Sequence, residues 1–191
     1  MAQAQPVYVS LEFTPNPNTL KYSVNRELVR RGAANFTRAA DAEGKSALAV
    51  KLFSIAGICG VMLGRDFITV TKTEEGDWDL VHRETSRTIE EYLSQGLQPL
   101  EESFYEKSGS GHKGGDSELE KRIRDILDAE IRPAVAMDGG DITFDRFEDG
   151  VVYLEMQGSC AGCPSSTATL KMGIETRLKE AIPEVVEVVS V

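Results

Sequence analysis

The stretch VVYLEMQGSCAGCPSSTATLKMGIETRLKEAI, residues 151–182, passes from strand to helix through two thiols. Val151 to Met156 are rich in β-branched and apolar residues and read as a strand. Pro164 suits the first position of a helix, where no backbone N–H is needed, and Leu170, Ile174, Leu178 and Ile182 then recur as one buried stripe. Between the two elements stand Cys160 and Cys163, at the expected helix N-terminus. Unpaired N–H groups and aligned peptide dipoles favour negative sulfur there, so both cysteines are expected to deprotonate more readily than a free thiol and to suit a soft metal centre. The only other cysteine, Cys59, lies far upstream. A thiolate-held iron-sulfur cluster or structural zinc usually takes four protein ligands. One chain offers two in one place, so the missing pair is expected from a second molecule.

Working outward, Leu119, Ile123, Ile126, Leu127, Ile131 and Val135 recur at helical steps, and Pro133 is expected to bring that helix towards its end. Asp138-Gly139-Gly140-Asp141 offers two carboxylates for a hard cation or acid–base work, but reads more simply as a tight turn. Ile142 to Phe147 and Val151 to Met156 are joined through Glu148-Asp149-Gly150, a hairpin signal because Asp-Gly tolerates positive φ. Pro183 stops the second helix. The valines from Val185 to Val191 are expected to close the sheet. Residues 118–191 therefore form a domain of order α-β-β-α-β, small enough that a dimer interface over part of its core would help it.

The run Ser108-Gly109-Ser110-Gly111-His112-Lys113-Gly114-Gly115-Asp116-Ser117 cannot bury enough apolar surface to repay its ordering entropy, and residues 106–117 read as a flexible linker. Residues 1–105 form a second domain, also mixed α and β. Val7 to Phe13 and Leu20 to Val24 read as strands flanking Thr14-Pro15-Asn16-Pro17-Asn18, which its two X-Pro steps hold as a rigid loop. Ala47 to Ile55 reads as a helix, Phe67 to Lys72 as a strand, and a last helix runs from near Asp79 to Gly96. The fold class is α+β in two small domains.

Composition narrows the function. The chain has 191 residues, 41% hydrophobic and 27% charged, with a net charge of -10. Up to position 117 there are 13 basic and 16 acidic residues, and from 118 onward 8 and 15, so the acidity lies mostly on the cysteine-bearing domain. With no basic cluster, a nucleic-acid partner is not expected. No apolar run reaches membrane-spanning length, and Met1 to Pro6 carry no targeting pattern, which together with the sparse cysteines suggests a reducing, cytosol-like compartment. His82 and His112 read as solvated. Cys59, in an apolar stretch, reads as a packing thiol.

Glu12-Phe13-Thr14-Pro15-Asn16-Pro17-Asn18-Thr19-Leu20-Lys21 and Gly64-Arg65-Asp66-Phe67-Ile68-Thr69-Val70-Thr71-Lys72 resemble the hallmark segments of the Nfu N-terminal domain. Asp138-Gly139-Gly140-Asp141 and Gly158-Ser159-Cys160-Ala161-Gly162-Cys163-Pro164-Ser165-Ser166 resemble those of the NifU C-terminal domain, in the expected order. The resemblance implies an iron-sulfur cluster scaffold or carrier of the Nfu family. It implies a [4Fe-4S] cluster, with [2Fe-2S] a further possibility, bound between two subunits through Cys160 and Cys163, and a homodimer formed on cluster binding. Further implications are delivery to apo iron-sulfur proteins, an upstream scaffold as donor and no enzymatic activity. The location would be cytoplasmic in a bacterium, or the mitochondrial matrix for a processed eukaryotic form. Cys59 matches no ligand motif. Two other chemistries fit a strand-CxxC-helix: a thiol-disulfide oxidoreductase, although Ser159 stands where that class usually has an aromatic residue, and a zinc-stapled interaction module with Cys₄ across a dimer.

Overall fold

The structure, a computed structural model, describes residues 6–108, 117–161 and 164–191. The N-terminal part contains β1 (Val9–Phe13), β2 (Thr19–Val24), β3 (Ala34–Phe36), α1 (Ala39–Ala42), α2 (Ala47–Phe53), β4 (Ile58–Leu63), β5 (Phe67–Lys72), α3 (Trp78–Ser94) and α4 (Glu102–Ser108). Its strands form one antiparallel sheet of order β1-β2-β5-β4-β3. Side chains alternate across a strand, so Leu20, Tyr22, Ile68, Val70, Val61 and Leu63 share one face, where they build a core with Leu48 and Leu52 of α2 and Ile89 and Leu93 of α3. Both helices start on a side-chain cap: Ser46 Oγ accepts from Ala49 N, and the Asp77 carboxylate accepts from Asp79 N.

The C-terminal part contains α5 (Glu118–Ile126), a π-helical segment (Leu127–Ile131), α6 (Arg132–Met137), β6 (Gly140–Glu148), β7 (Val151–Gly158), α7 (Pro164–Ala181) and β8 (Glu187–Ser190). The expected α-β-β-α-β order is therefore present. β6 and β7 pair antiparallel across a two-residue turn with Asp149 at φ 51 and Gly150 at φ 84, and β8 adds parallel to β7. Ile123, Leu127, Ile142, Leu154, Ile174 and Leu178 form the centre of a second core.

The first helix runs through Pro133 and ends at Met137, so the proline falls near its end as expected. The π segment widens the turn ahead of it, with Arg132 N donating to Leu127 O five residues back, and absorbs a residue that has no N–H to give. Ser117 and Glu120 cap α5 reciprocally. Several elements depart from the sequence reading: β3, α1, β4 and α4 were not expected. In β4 a bulge between Ile58 and Gly60 breaks the alternation that would announce a strand, and the extra residue is Cys59. Cys59 is accordingly exposed rather than packed inside, its Sγ directed at Thr71 O. α4 reaches Ser108, into the stretch assigned to the linker; the remainder of that stretch up to 116, including His112, lies outside the described residues.

The second face of the N-terminal sheet sets the position of the cysteines. Lys21 pairs with Thr69, and Thr69 with Met62, so these three form a row across β2, β5 and β4 opposite the helices. All three are buried, yet they point away from the N-terminal core. The C-terminal domain covers them: Gly139 rests on Thr69 and Lys21, and Gly158 rests on Met62. The two domains, expected to be joined only by a tether, share a contact.

Replacing Ile174 by Ala, at a site 1% exposed, is expected to destabilise the C-terminal core by about 2–5 kcal/mol. Urea unfolding followed by far-UV circular dichroism reads this loss. Fluorescence of Trp78, the sole tryptophan, reports the N-terminal domain and should shift by less.

Candidate functional site

Cys160 lies in the turn between β7 and α7, and its surroundings account for every backbone carbonyl from 159 to 161. Ser159 O and Ala161 O accept from Asn16 Nδ2 at 3.4 and 3.2 Å, and Cys160 O accepts from Thr167 Oγ1 of α7 at 2.9 Å. Ser159 N donates to Gly139 O, and Ser159 Oγ to Asp138 O. Buried carbonyls left without donors would be costly, so these contacts fix the turn as much as they decorate it.

The Cys160 side chain is buried, 6% exposed, with its sulfur against the α-carbon side of Gly140. A methyl group at position 140 would overlap that sulfur. Gly158 is equally confined: at φ 62, a Cβ there would lie 2.7 Å from Gly139 O and 2.8 Å from Met62 Cε. Position 158 thus tolerates only glycine in both conformation and space.

Burial reverses the ionisation expected from the helix N-terminus. Loss of hydration pushes the Cys160 thiol up to about 11; its contact with Ser159 acts the other way, and the nearby carboxylates of Asp138 and Asp141 add to the rise. In this conformation Cys160 is a protonated thiol. Dipole stabilisation falls off within the first turn, while desolvation acts on the whole buried charge, and here desolvation is the larger effect.

On its other side Cys160 lines a cavity of about 650 Å³ between α6 and α7, with Pro15, Ile131, Val135, Leu170 and Ile174 also in its wall. The wall is mostly apolar.

The Asp138-to-Asp141 segment is more than a turn. Asp138 caps α6 and Gly139 turns the chain at φ 79, as the sequence suggested. Asp141, however, is 6% exposed and receives two parallel hydrogen bonds from Arg132, both 2.8 Å. Arg132 also reaches Asp128 at 3.0 Å. This forked pair ties α6 to the first residues of β6, the strand that backs the Cys160 sulfur. No sequence pattern announced Arg132, because its partner lies nine positions away across a turn.

Cys163 and Gly162 lie outside the described residues. Cys59 belongs to the bulge in β4 and is not part of this site. His82 is half-buried rather than solvated: it stacks on Tyr22 with ring centroids 5.8 Å apart, and Tyr22 Oη lies 3.3 Å from its Nδ1. Among the described residues, no three His, Cys, Asp or Glu side chains converge as a metal-ligand set. The largest omission of the sequence reading is the N-terminal contribution. Asn16, read as part of a rigid loop, is a hydrogen-bond donor to the cysteine turn; the only signal for it was that rigidity.

Residues 9–96 match the family model described as scaffold protein Nfu/NifU N terminal, and residues 123–189 match the NifU-like domain. Among curated proteins, the human "NFU1 iron-sulfur cluster scaffold homolog, mitochondrial" is 43% identical over 182 residues, 94% of this chain and 70% of that protein. "NifU-like protein 4, mitochondrial" from Arabidopsis thaliana is 38% identical, over 96% of this chain and 65% of its own length. The Drosophila grimshawi NFU1 homolog is 40% identical over 93% of this chain and 59% of its own. The chain thus spans roughly two thirds of the length of these relatives. A solved NifU-like protein from Saccharomyces cerevisiae overlays 53% of this chain and 91% of its own at 20% identity, with a TM-score of 0.48.

Gly140→Ala is expected to displace the Cys160 sulfur and to destabilise the C-terminal domain by about 1–3 kcal/mol. Gly173→Ala, where a methyl would meet nothing within 4 Å, is the control and should stabilise α7 by about 0.4–1 kcal/mol. Denaturant midpoints of the two variants, moving in opposite directions, check the assignment.

Proposed function

This chain belongs to the Nfu/NifU scaffold family, and we propose on that footing that it carries an iron-sulfur cluster, its cargo, on the thiolates of Cys160 and Cys163. The observation that carries the reading is the build of the turn around Cys160: a sulfur at a strand-to-helix junction, backed by glycine, with a cavity on its other side. Bulky sulfide-bridged iron needs close backbone approach at its ligands, and Gly140 supplies it beside the Cys160 sulfur. Ser159 Oγ lies 3.9 Å from the Cys160 sulfur.

A [4Fe-4S] cluster takes four cysteine ligands, so two copies of the chain, each giving Cys160 and Cys163, share one cluster about a twofold axis. The cluster then supplies part of the association energy of the homodimer. A coordinating metal deprotonates a thiol outright, which offsets the cost of ionising Cys160. Delivery to an apo-protein follows by ligand exchange. Each incoming thiolate forms one Fe–S bond as one carrier Fe–S bond breaks, with no electron transferred and no acid–base residue needed, so the protein is a carrier rather than an enzyme. An upstream scaffold loads it.

The curated relatives carry "mitochondrial" in their names, and the mitochondrial matrix is the compartment this reading favours for a eukaryotic form, the cytoplasm for a bacterial one. Among the described residues no helix is long and apolar enough to cross a membrane.

Anaerobic reconstitution, with iron and sulfide counted per chain, tests the ligands. Cys160→Ser and Cys163→Ser should each lose stable cluster, because a symmetric dimer loses each thiolate twice, whereas Cys59→Ser should retain it. Full iron occupancy in Cys160→Ser would overturn the assignment. A colourless protein that binds one zinc per dimer would replace the cluster by a structural zinc.

Assembly gives a second check. Sedimentation without oxygen should show the loaded protein as a dimer, and a loaded monomer free of added thiol would exclude the shared site.

A further inference from the structure

We propose that the N-terminal loop Thr14–Asn18 is a latch on the cysteine turn, and that loading a cluster shared by two copies requires the N-terminal sheet to release it. The inference rests on the reading of Cys160 as a cluster ligand and names how access to that ligand is controlled.

Asn16 is 5% exposed, and its side-chain amide spends both hydrogens on Ser159 O and Ala161 O, the carbonyls either side of Cys160. The loop is built to aim that amide. Asn16 Oδ1 accepts from Asn18 N at 3.0 Å, Asn16 O accepts from Thr19 N and Thr14 Oγ1 at 3.0 Å each, and the flanking residues are prolines. Two further contacts hold the same end of the C-terminal domain. Lys21 Nζ donates to Met137 O at 3.2 Å while paired with Glu12 at 2.9 Å, and Met62, 1% exposed, is covered by Gly158.

The clamped conformation does not present Cys160 to a second copy. Cys160 is buried with its sulfur against Gly140, and Pro15 of the latch shares the wall of the cavity that Cys160 lines. A cluster bridging two chains has to reach that sulfur from outside. On this proposal the turn moves for loading, and movement of Ser159 and Ala161 breaks both bonds from Asn16. The latched state and the shared cluster compete for one segment. Nor does long-range charge hold the domains together, since both parts are net acidic. Among the described residues the contact rests on neutral hydrogen bonds, a lysine bond to a carbonyl and a row of side chains, which makes it releasable.

Asn16→Asp separates the latch from the loop. The carboxylate still accepts from Asn18 N, but it replaces a donor by an oxygen facing two carbonyls. In the full chain carrying Cys59→Ser and no cluster, site-resolved mass spectrometry measures the alkylation rate of Cys160 at fixed pH. Asn16→Asp should raise that rate about tenfold, the loss of one to two hydrogen bonds, and should shorten anaerobic cluster loading. Lys21→Met, which leaves the loop untouched, should act in the same direction. The unfolding midpoint from Trp78 fluorescence must stay at the parent value in at least one variant. An unchanged Cys160 alkylation rate in both variants would sink the latch. So would faster alkylation with slower loading, since Asn16 would then position the ligand rather than restrain it. Faster alkylation in a protein that never takes up iron would leave the latch standing and remove the cluster function instead.

Discussion

The close approach of three glycines to their neighbours is the constraint that orders the rest of this molecule. Gly139 rests on Thr69 and Lys21, Gly158 on Met62, and Gly140 against the sulfur of Cys160. None of these positions has room for a Cβ, and two of the three need a positive φ. With side chains at those points the C-terminal hairpin could not seat on the N-terminal sheet, and Cys160 could not turn inward. A short segment of backbone therefore serves both as the floor of the cysteine site and as the joint between the domains.

Two kinds of polar contact hold that segment from opposite sides. From within the C-terminal domain, Arg132 grips Asp141 with a forked pair, and Thr167 takes the Cys160 carbonyl. Truncating one partner of a half-buried ion pair leaves the other charge poorly solvated, so this side is the stronger anchor. From the N-terminal domain come neutral bonds from Asn16 and a lysine contact to Met137 O. The asymmetry suits a cysteine turn that stays with its own domain while its cover comes and goes.

The interplay of dipole and burial at Cys160 shows why motif chemistry needs a fold to complete it. A thiol at a helix N-terminus is acidic when water or a cation can reach it, and thioredoxin-type or metal-bound cysteines exploit that. Here the same placement comes with nearly complete burial and two carboxylates nearby, and the thiol is held protonated. A metal supplies the missing positive charge, so the ionisation state of the site follows its loading rather than preceding it.

Much of the architecture was legible from residue pattern. Local rules decided the hairpin at Asp149-Gly150, the start of α7 at Pro164, the stripe Ile174, Leu178 and Ile182, and the rigid loop from Thr14 to Asn18, because each depends on residues a few positions apart. The sequence also supplied the candidate ligands Cys160 and Cys163 and the two-domain order. What it could not supply were relations between distant residues: the bulge that expels Cys59, the pair between Arg132 and Asp141, and the π segment that carries a helix through Pro133. Most of all it could not place Asn16, Lys21 and Met62 over the cysteine turn. Alternation along β2, β5 and β4 marks which side chains share a face, but only tertiary structure decides what covers that face, since shape, backbone approach and unpaired carbonyls are matched across more than a hundred residues of chain.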